Sequence, residues 1–274
     1  MSEKEPPIIL AATDLSARSD RAVERALVLA EALHGTPVLY HVVERRSPHL
    51  DKPEGIEDAV RATLPDPAAD VEILLGEGPV PEAIARQAEA VRPLLIVVGV
   101  ARYNSLGDYF TGTAVDHLVR HARVPVLVVK QRAHRAYDRV LVAVDFSDHS
   151  VTALNRAAQL FPDAELHVVH GYHVPYEGWQ KSDYIREATQ IEQEGLFKEF
   201  LARVDLSEEQ RSRMRSHLEY GDVGEAVRRS IAKTDPALLV LGTHGRGPVA
   251  HAAMGSIASS LLRWVECDTL LVKG

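Results

Sequence analysis

Residues 237–256 read ALLVLGTHGRGPVAHAAMGS. The first six form an apolar run without polar alternation, the pattern of a strand buried on both faces. Glycines at 242, 245 and 255 follow, and Gly255-Ser256 stand in front of a segment with helical apolar spacing. A strand that passes through a glycine loop into a helix is the building unit of a parallel α/β sheet. Ligands of such sheets sit beyond the carboxyl ends of the strands, where the strand order reverses. This loop also has the chemistry of an anion site. Glycine lets the backbone approach closely, a helix start offers N–H groups and a favourable dipole, Ser256 adds a hydroxyl and Arg246 a positive charge. Neither GxxxxGK[ST] nor a strand-linked GxGxxG is present, so the usual P-loop and dinucleotide readings lack their residues.

The stretch has a partner elsewhere in the chain. LLIVVG (94–99) matches ALLVLG (237–242) at an offset of 143, and the same offset carries GPVPEAI (78–84) onto GDVGEAV (221–227). It also carries Gly112-Thr113 onto Gly255-Ser256 and VPVLVVK (124–130) onto CDTLLVK (267–273). Nearer the starts of the halves the offset is 131, with ILAATDLS (9–16) matching VLVAVDFS (140–147). Several matches in one order mark a duplicated domain. The expected boundaries are 1–133 and 134–274, with the join in QRAHRAYD (131–138), and the second half carries an insertion before Gly221.

Each half alternates strand and helix. In the second half the expected strands are VLVAVDFS, ELHVVHGY (165–172), RSHLEYG (215–221), ALLVLG and DTLLVK. The expected helices cover 148–160, 182–204, 224–233 and 249–264. The first half repeats the pattern with a shorter, proline-interrupted connection at 44–70. Two tandem five-stranded parallel α/β domains of Rossmann-like type are expected, with sites after Asp14 and Gly99 and after Asp145 and Gly242.

Composition narrows the function. A length of 274 residues fits two domains, and 46% hydrophobic with 26% charged residues is ordinary for a globular chain. A net charge of −8 speaks against nucleic-acid backbone binding, which needs a basic face. No apolar run approaches the ~20 residues of a membrane span. The opening MSEKEPPIIL has no basic-then-apolar leader, and the single Cys267 forms no internal disulfide, so a cytoplasmic protein is expected. His117 and His121 share a helix face at i, i+4, but no third metal ligand is evident. His41 and His170 hold matched places at strand ends and read as packing or hydrogen-bonding residues rather than ligands; Cys267, matched to Val124, reads as a small buried filler.

The spacing G-x2-G-x9-G-[ST] of 242–256, together with VDFS, His170 and TLLVK, resembles the ATP-binding pattern of the universal stress protein family, and the resemblance covers nearly the whole chain twice. It implies two adenine-nucleotide α-hydrolase-like domains joined as a dimer within one chain, which could also form a further homodimer. It implies adenine and ribose contacts at Val144, Asp145 and Gly171. Phosphate contacts fall on Gly242, His244, Gly245, Arg246, Gly255, Ser256 and Ile257. The ligand implied is ATP, ADP or AMP with magnesium. Gly171 departs from the larger apolar residue usual in the family, and Asp145 reads equally as a ribose contact or as part of a helix cap. In the first half Asp14, Gly99, Gly112 and Thr113 are kept, but Arg102 stands where the second phosphate glycine belongs, so that site is expected to be degenerate. No pairing of a nucleophile with a base emerges. The chain reads as a nucleotide-dependent stress or regulatory protein with an unidentified protein partner. Alternatives are a slow ATPase or phosphotransferase, with His244 as the nearby candidate, or a binding module for an apolar or lipid ligand built on the long helix of the second half.

Overall fold

The computed structural model describes residues 5–43, 53–100, 113–134, 136–173, 183–244 and 254–274. The first half runs β1 (Ile8–Thr13), α1 (Ala17–Ala32), β2 (Thr36–Val43), α2 (Pro53–Ala62), β3 (Glu72–Glu77), α3 (Val80–Val91), β4 (Leu95–Gly99), α4 (Thr113–His121) and β5 (Val126–Val129). The second runs β6 (Arg139–Ala143), α5 (Asp148–Leu160), β7 (Glu165–Tyr172), α6 (Asp183–Ala202), α7 (Glu208–Arg213), β8 (Arg215–Tyr220), α8 (Val223–Thr234), β9 (Leu238–Gly242), α9 (Ser256–Trp264) and β10 (Asp268–Val272).

Contacts divide the chain into Met1–Ala136 with Ala252–Met254 and Leu262–Leu271, and Tyr137–His251 with Gly255–Leu261 and Val272–Gly274. In the first unit β2 and β4 flank β1, β3 lies outside β2 and β5 outside β4, all parallel. In the second unit β7 and β9 flank β6 and β8 lies outside β7, again parallel. The alternating α/β expectation therefore holds in both halves. The central strands are buried along their length, as in Leu95–Val98 and Leu238–Leu241, because helices cover both faces of a parallel sheet.

Three features show how the elements are joined. The closing strand β10 pairs antiparallel with β5, Leu270 opposite Leu127, inside the first unit. There Asp268, fully buried, accepts the Lys130 and Gln131 N–H groups at 2.7 and 2.9 Å and pairs with the buried Arg25 at 3.3 Å. Lys130 Nζ donates to the carbonyls of Leu262 and Val265, the orphan acceptors of a helix end. Second, the connection at 44–70 contains α2, whose first residue is Pro53. Proline at that position keeps its preset φ and gives up no intrahelical bond. Third, α7 is capped by Ser207, whose Oγ accepts from Gln210 N while Gln210 Oε1 accepts from Ser207 N, both at 3.1 Å.

Candidate functional site

In the second unit the strand order reverses between β6 and β9, so the chain leaves those two strands in opposite directions and opens a crevice at their carboxyl ends. Val144 continues β6, its N–H bonded to Val169 O at 2.9 Å. Asp145 then turns the chain into α5. Its Oδ1 accepts from Ser147 N at 3.1 Å, Ser147 Oγ at 2.5 Å and Ser150 Oγ at 2.7 Å, while its own N–H donates to Ser150 Oγ. Ser147 is the residue that caps α5, accepting from Ser150 N. Asp145 braces the cap from two residues upstream, so one carboxylate oxygen is fixed by the turn.

Phe146, between the aspartate and the cap, sits at φ 63°, a left-handed conformation that costs a bulky residue energy. Its ring is held from several sides. It stacks on His170 at 3.9 Å and meets Phe197 and Phe200 of α6 at 5.4 and 5.5 Å. His170 Nδ1 donates to Val144 O at 2.8 Å, which confirms its hydrogen-bonding reading. Arg203 donates to Phe146 O at 3.1 Å and also pairs with Asp148.

Across the crevice, a Cβ on Gly242 would come within 3.4 Å of His149 O and His244 O. Thr243, 1% exposed, organises the backbone on either side of it. Its N–H donates to Val272 O and its carbonyl accepts Gly255 N–H, both at 2.9 Å, and its hydroxyl meets His244 Nδ1 at 3.0 Å. The Thr243–Gly255 bond brings together the two ends of the glycine loop. Gly255 O in turn accepts from Ser259 N, which makes Gly255 the residue in front of α9. Ser256 and Ile257 form the exposed first turn, Ile257 with 53% of its surface open. A helix start leaves its first N–H groups without intrahelical acceptors. Met254 and Gly255 are not helical, so α9 begins later than the expected 249–264; Gly245, Arg246 and Val249 lie outside the described residues.

Gly171 lies further along β7. A Cβ there would meet Ala226 Cβ at 3.1 Å and Gly221 O and Val223 Cα at 3.2 Å, so close packing of α8 accounts for the glycine. Beyond it, Tyr172 and Tyr220 meet edge to face at 5.8 Å, and burial followed by the Glu194 carboxylate holds the Tyr172 phenol above its ordinary range.

In the first unit Asp14 occupies the matched turn, and Gly99 is tighter than Gly242, a Cβ lying 3.0 Å from Arg18 O. Thr113 opens α4, while Arg102 and Gly112 lie outside the described residues. His117 and His121 stack at 4.0 Å, and His121 Nδ1 bonds His117 O at 2.8 Å. Among the described residues no group of three or more His, Cys, Asp or Glu could hold a metal ion. Cys267 is buried, and no described helix is long and apolar enough to cross a membrane.

Sequence reasoning passed over Ser147, Ser150 and Thr243. The serines had a signal, since D-x-S-x-x-S occurs in both halves, at 14–19 and 145–150. Thr243 had none, because its role depends on two backbone partners, Val272 and Gly255, that lie away from it in sequence.

The model of the universal stress protein family matches residues 7–130 and again 136–273. No curated protein matches the chain. Among solved structures, a Pseudomonas aeruginosa UCBPP-PA14 protein assigned to the universal stress proteins is similar over 98% of this chain and 93% of its own, with 20% identity and a TM-score of 0.67. A universal stress protein of Archaeoglobus fulgidus DSM 4304 is similar over 98% and 97%, with 19% identity and a TM-score of 0.63. At these identities the structures speak to the fold.

Proposed function

This chain belongs to the universal stress protein family, and on that premise we propose that it binds an adenine nucleotide, ATP in the first instance, in the crevice of its second half. The observation that carries the reading is the Thr243–Gly255 bond, which holds the start of α9 at the carboxyl end of β9, the strand paired with β6 where the order of the sheet reverses. In this reading the N–H groups of Ser256 and Ile257 and the Ser256 hydroxyl receive phosphate oxygens. Gly242, His244 and Gly245 line their path, and Arg246 pairs with the outermost charge. Gly255 contributes smallness rather than its N–H, which Thr243 already holds. Asp145 offers its carboxylate to the ribose hydroxyls, and Val144 and Gly171 border the base.

The donor set fits such a ligand, with a helix start and a hydroxyl for phosphate and a carboxylate for ribose. Magnesium would ride on the phosphates and water, as it commonly does. The first half, with Arg102 in place of a glycine, is read as a site that no longer takes a nucleotide, giving one ligand per chain. The biological role in this reading is a regulatory or binding protein of the cytoplasm whose surface depends on nucleotide occupancy; the lone buried Cys267 suits a reducing compartment.

The test is mass spectrometry of gently purified protein for bound nucleotide, then titration calorimetry with ATP, then assay of phosphate release. One ATP bound per chain with no release supports the reading. Saturable turnover moves the chain to the ATPase alternative, and no binding at millimolar ATP with magnesium removes the nucleotide.

A further inference from the structure

Two histidines on neighbouring strands of the second unit meet through their rings. His167 of β7 lies opposite Arg215, and His217 of β8 opposite Val169, so the pair is diagonal across the two strands. His167 Nδ1 and His217 Nε2 are 3.0 Å apart. The ring centroids are 5.3 Å apart with 22° between the planes, so the nitrogens meet end-on rather than face to face. His167 is 7% exposed, and its other ring nitrogen stands 3.6 Å from Glu165 Oε1.

The first half has no such pair. His41 and His170 make the same bond, to Thr13 O and Val144 O, which aligns β2 with β7. Three residues before them stand Val38 and His167. Leu75 pairs with His41 as Leu218 pairs with His170, which sets Leu74 against His217. The duplicated fold thus closes with an apolar pair in one half and two imidazoles in the other.

A bond between two imidazoles has room for one hydrogen. With the pair neutral, or carrying one extra proton, one facing nitrogen donates and the other accepts. With both rings charged, both facing nitrogens carry hydrogen, and two positive charges stand a bond length apart. We propose that His167 and His217 form an acid-released latch that ties β8, the outer strand of the second unit, to β7.

The charged neighbours set where it lets go. Burial is the largest influence on both rings and lowers both below the ordinary histidine range. Glu165 of β7 favours the charged form of each. Arg139 of β6 and Arg215 of β8 oppose it at His167; Lys233 of α8 opposes and Glu219 of β8 favours it at His217. Glu219 is itself matched by Lys233 at 2.7 Å and Arg229 at 3.0 Å. Arg213 of α7 is turned to the carbonyls of Pro162 and Asp163. Because both rings are depressed in the paired state, the opened strand binds more protons. The latch is therefore complete above the ordinary histidine value of ~6.5 and weakens as pH falls through the lower values of the paired rings.

The experiment is amide hydrogen exchange of the full chain without nucleotide, read by NMR between pH ~7.5 and ~5 and corrected for the intrinsic pH dependence of exchange. Opening at Arg215–Tyr220 is expected to rise about tenfold between the two ends of that range, in the direction the lowered rings require. The matched strand β3 is expected to change by less than about twofold, and His167→Val with His217→Leu, which copies the first half, should remove the β8 response. If that variant does not fold, ring-nitrogen spectra of the unaltered chain take its place, with the β8 opening expected to share the midpoint of the second ring protonation. A β8 response that is absent, equal to that of β3, retained in the double variant, or displaced from the ring titration overturns the latch.

Discussion

The two halves build the same D-x-S-x-x-S turn and wire it differently. In the second, Ser150 Oγ donates to Asp145 Oδ1 at 2.7 Å, so the carboxylate is held by three donors. In the first, Asp14 Oδ1 receives the Ser16 N–H and hydroxyl, at 3.0 and 2.5 Å. Ser19 Oγ turns instead to the Ser16 carbonyl at 2.8 Å and meets Thr13 Oγ1 at 3.1 Å. The residue before the aspartate accounts for the difference. Thr13 presents a buried hydroxyl to Ser19, while Val144 presents none to Ser150, which goes to the carboxylate. Both halves pay for the turn with a bulky residue at positive φ, Leu15 at 61° and Phe146 at 63°. Only Phe146 is seen stacked, on His170. A shared motif therefore does not imply an equally organised site.

The largest expected contrast lies at the closing strands, where Asp268 and Pro125 are counterparts. Asp268→Ala leaves the Arg25 guanidinium buried without its carboxylate and two N–H groups without their acceptor, so a loss of about 3–5 kcal/mol is expected. Pro125→Ala keeps the bond from Ile96 N to the carbonyl at 125, and is expected to cost less than about 1 kcal/mol. Urea denaturation of both variants decides it. Equal losses would mean that Asp268 is not the anchor its burial makes it.

Next comes the glycine before each second loop helix. Gly255→Val places a branched side chain at the mouth of α9, and ATP affinity is expected to fall more than about a hundredfold. The fold should survive at a cost of about 1 kcal/mol, because Gly255 has no left-handed φ and among the described residues its Cβ would meet only Thr243 O, at 3.4 Å. Gly112→Val, its counterpart, should change neither affinity nor stoichiometry in calorimetry. A halved stoichiometry in that variant would show that the first half binds after all.

Much of this was legible because it is local. Apolar runs without alternation marked the buried parallel strands, and a glycine followed by serine marked the start of α9. The Ser207-x-x-Gln210 box was equally local and could have announced α7. The features that stayed hidden depend on contacts between distant residues. VPVLVVK and CDTLLVK look alike and resemble paired edge strands, but the antiparallel register of β10 on β5 is set only by contacts across the chain. Gly171 gives no sign in the sequence of the Ala226 and Val223 atoms on α8 that a Cβ there would meet. His167 and His217 are fifty positions apart, and only the strand register brings their rings together.

The aspartates themselves should separate the halves next. Asp145→Ala removes a charged acceptor proposed for the ribose, worth about 1.5–3 kcal/mol, or roughly ten- to a hundredfold in affinity. Asp14→Ala should leave ATP binding untouched. Melting temperatures measured alongside separate the lost contact from the lost brace on the helix cap, since both variants lose the brace and only one loses the contact. Equal affinity losses would place the nucleotide elsewhere.

The smallest effect tests the wiring directly. Val144→Thr puts into the second half the hydroxyl that diverts Ser19 in the first. Val144 is buried, so the new hydroxyl must find a partner, and Ser150 Oγ stands where Ser19 Oγ meets Thr13. Ser150 is then expected to leave Asp145, which keeps the Ser147 N–H and hydroxyl. One hydrogen bond on a carboxylate that remains in place is worth about 0.5–1.5 kcal/mol, so ATP affinity should fall about two- to tenfold. The reverse change, Thr13→Val, frees Ser19 to approach Asp14 but takes an acceptor from Leu15 N, now 3.1 Å from the threonine hydroxyl, and should cost about 1 kcal/mol without altering ATP binding. Calorimetry and a structure of Val144→Thr resolve the question together. If Ser150 turns away and affinity does not move, the third donor is a detail of the helix cap. If affinity falls while Ser150 stays on Asp145, the buried hydroxyl acts on the base pocket instead, and the contrast between the halves belongs to residue 144 rather than to the serine.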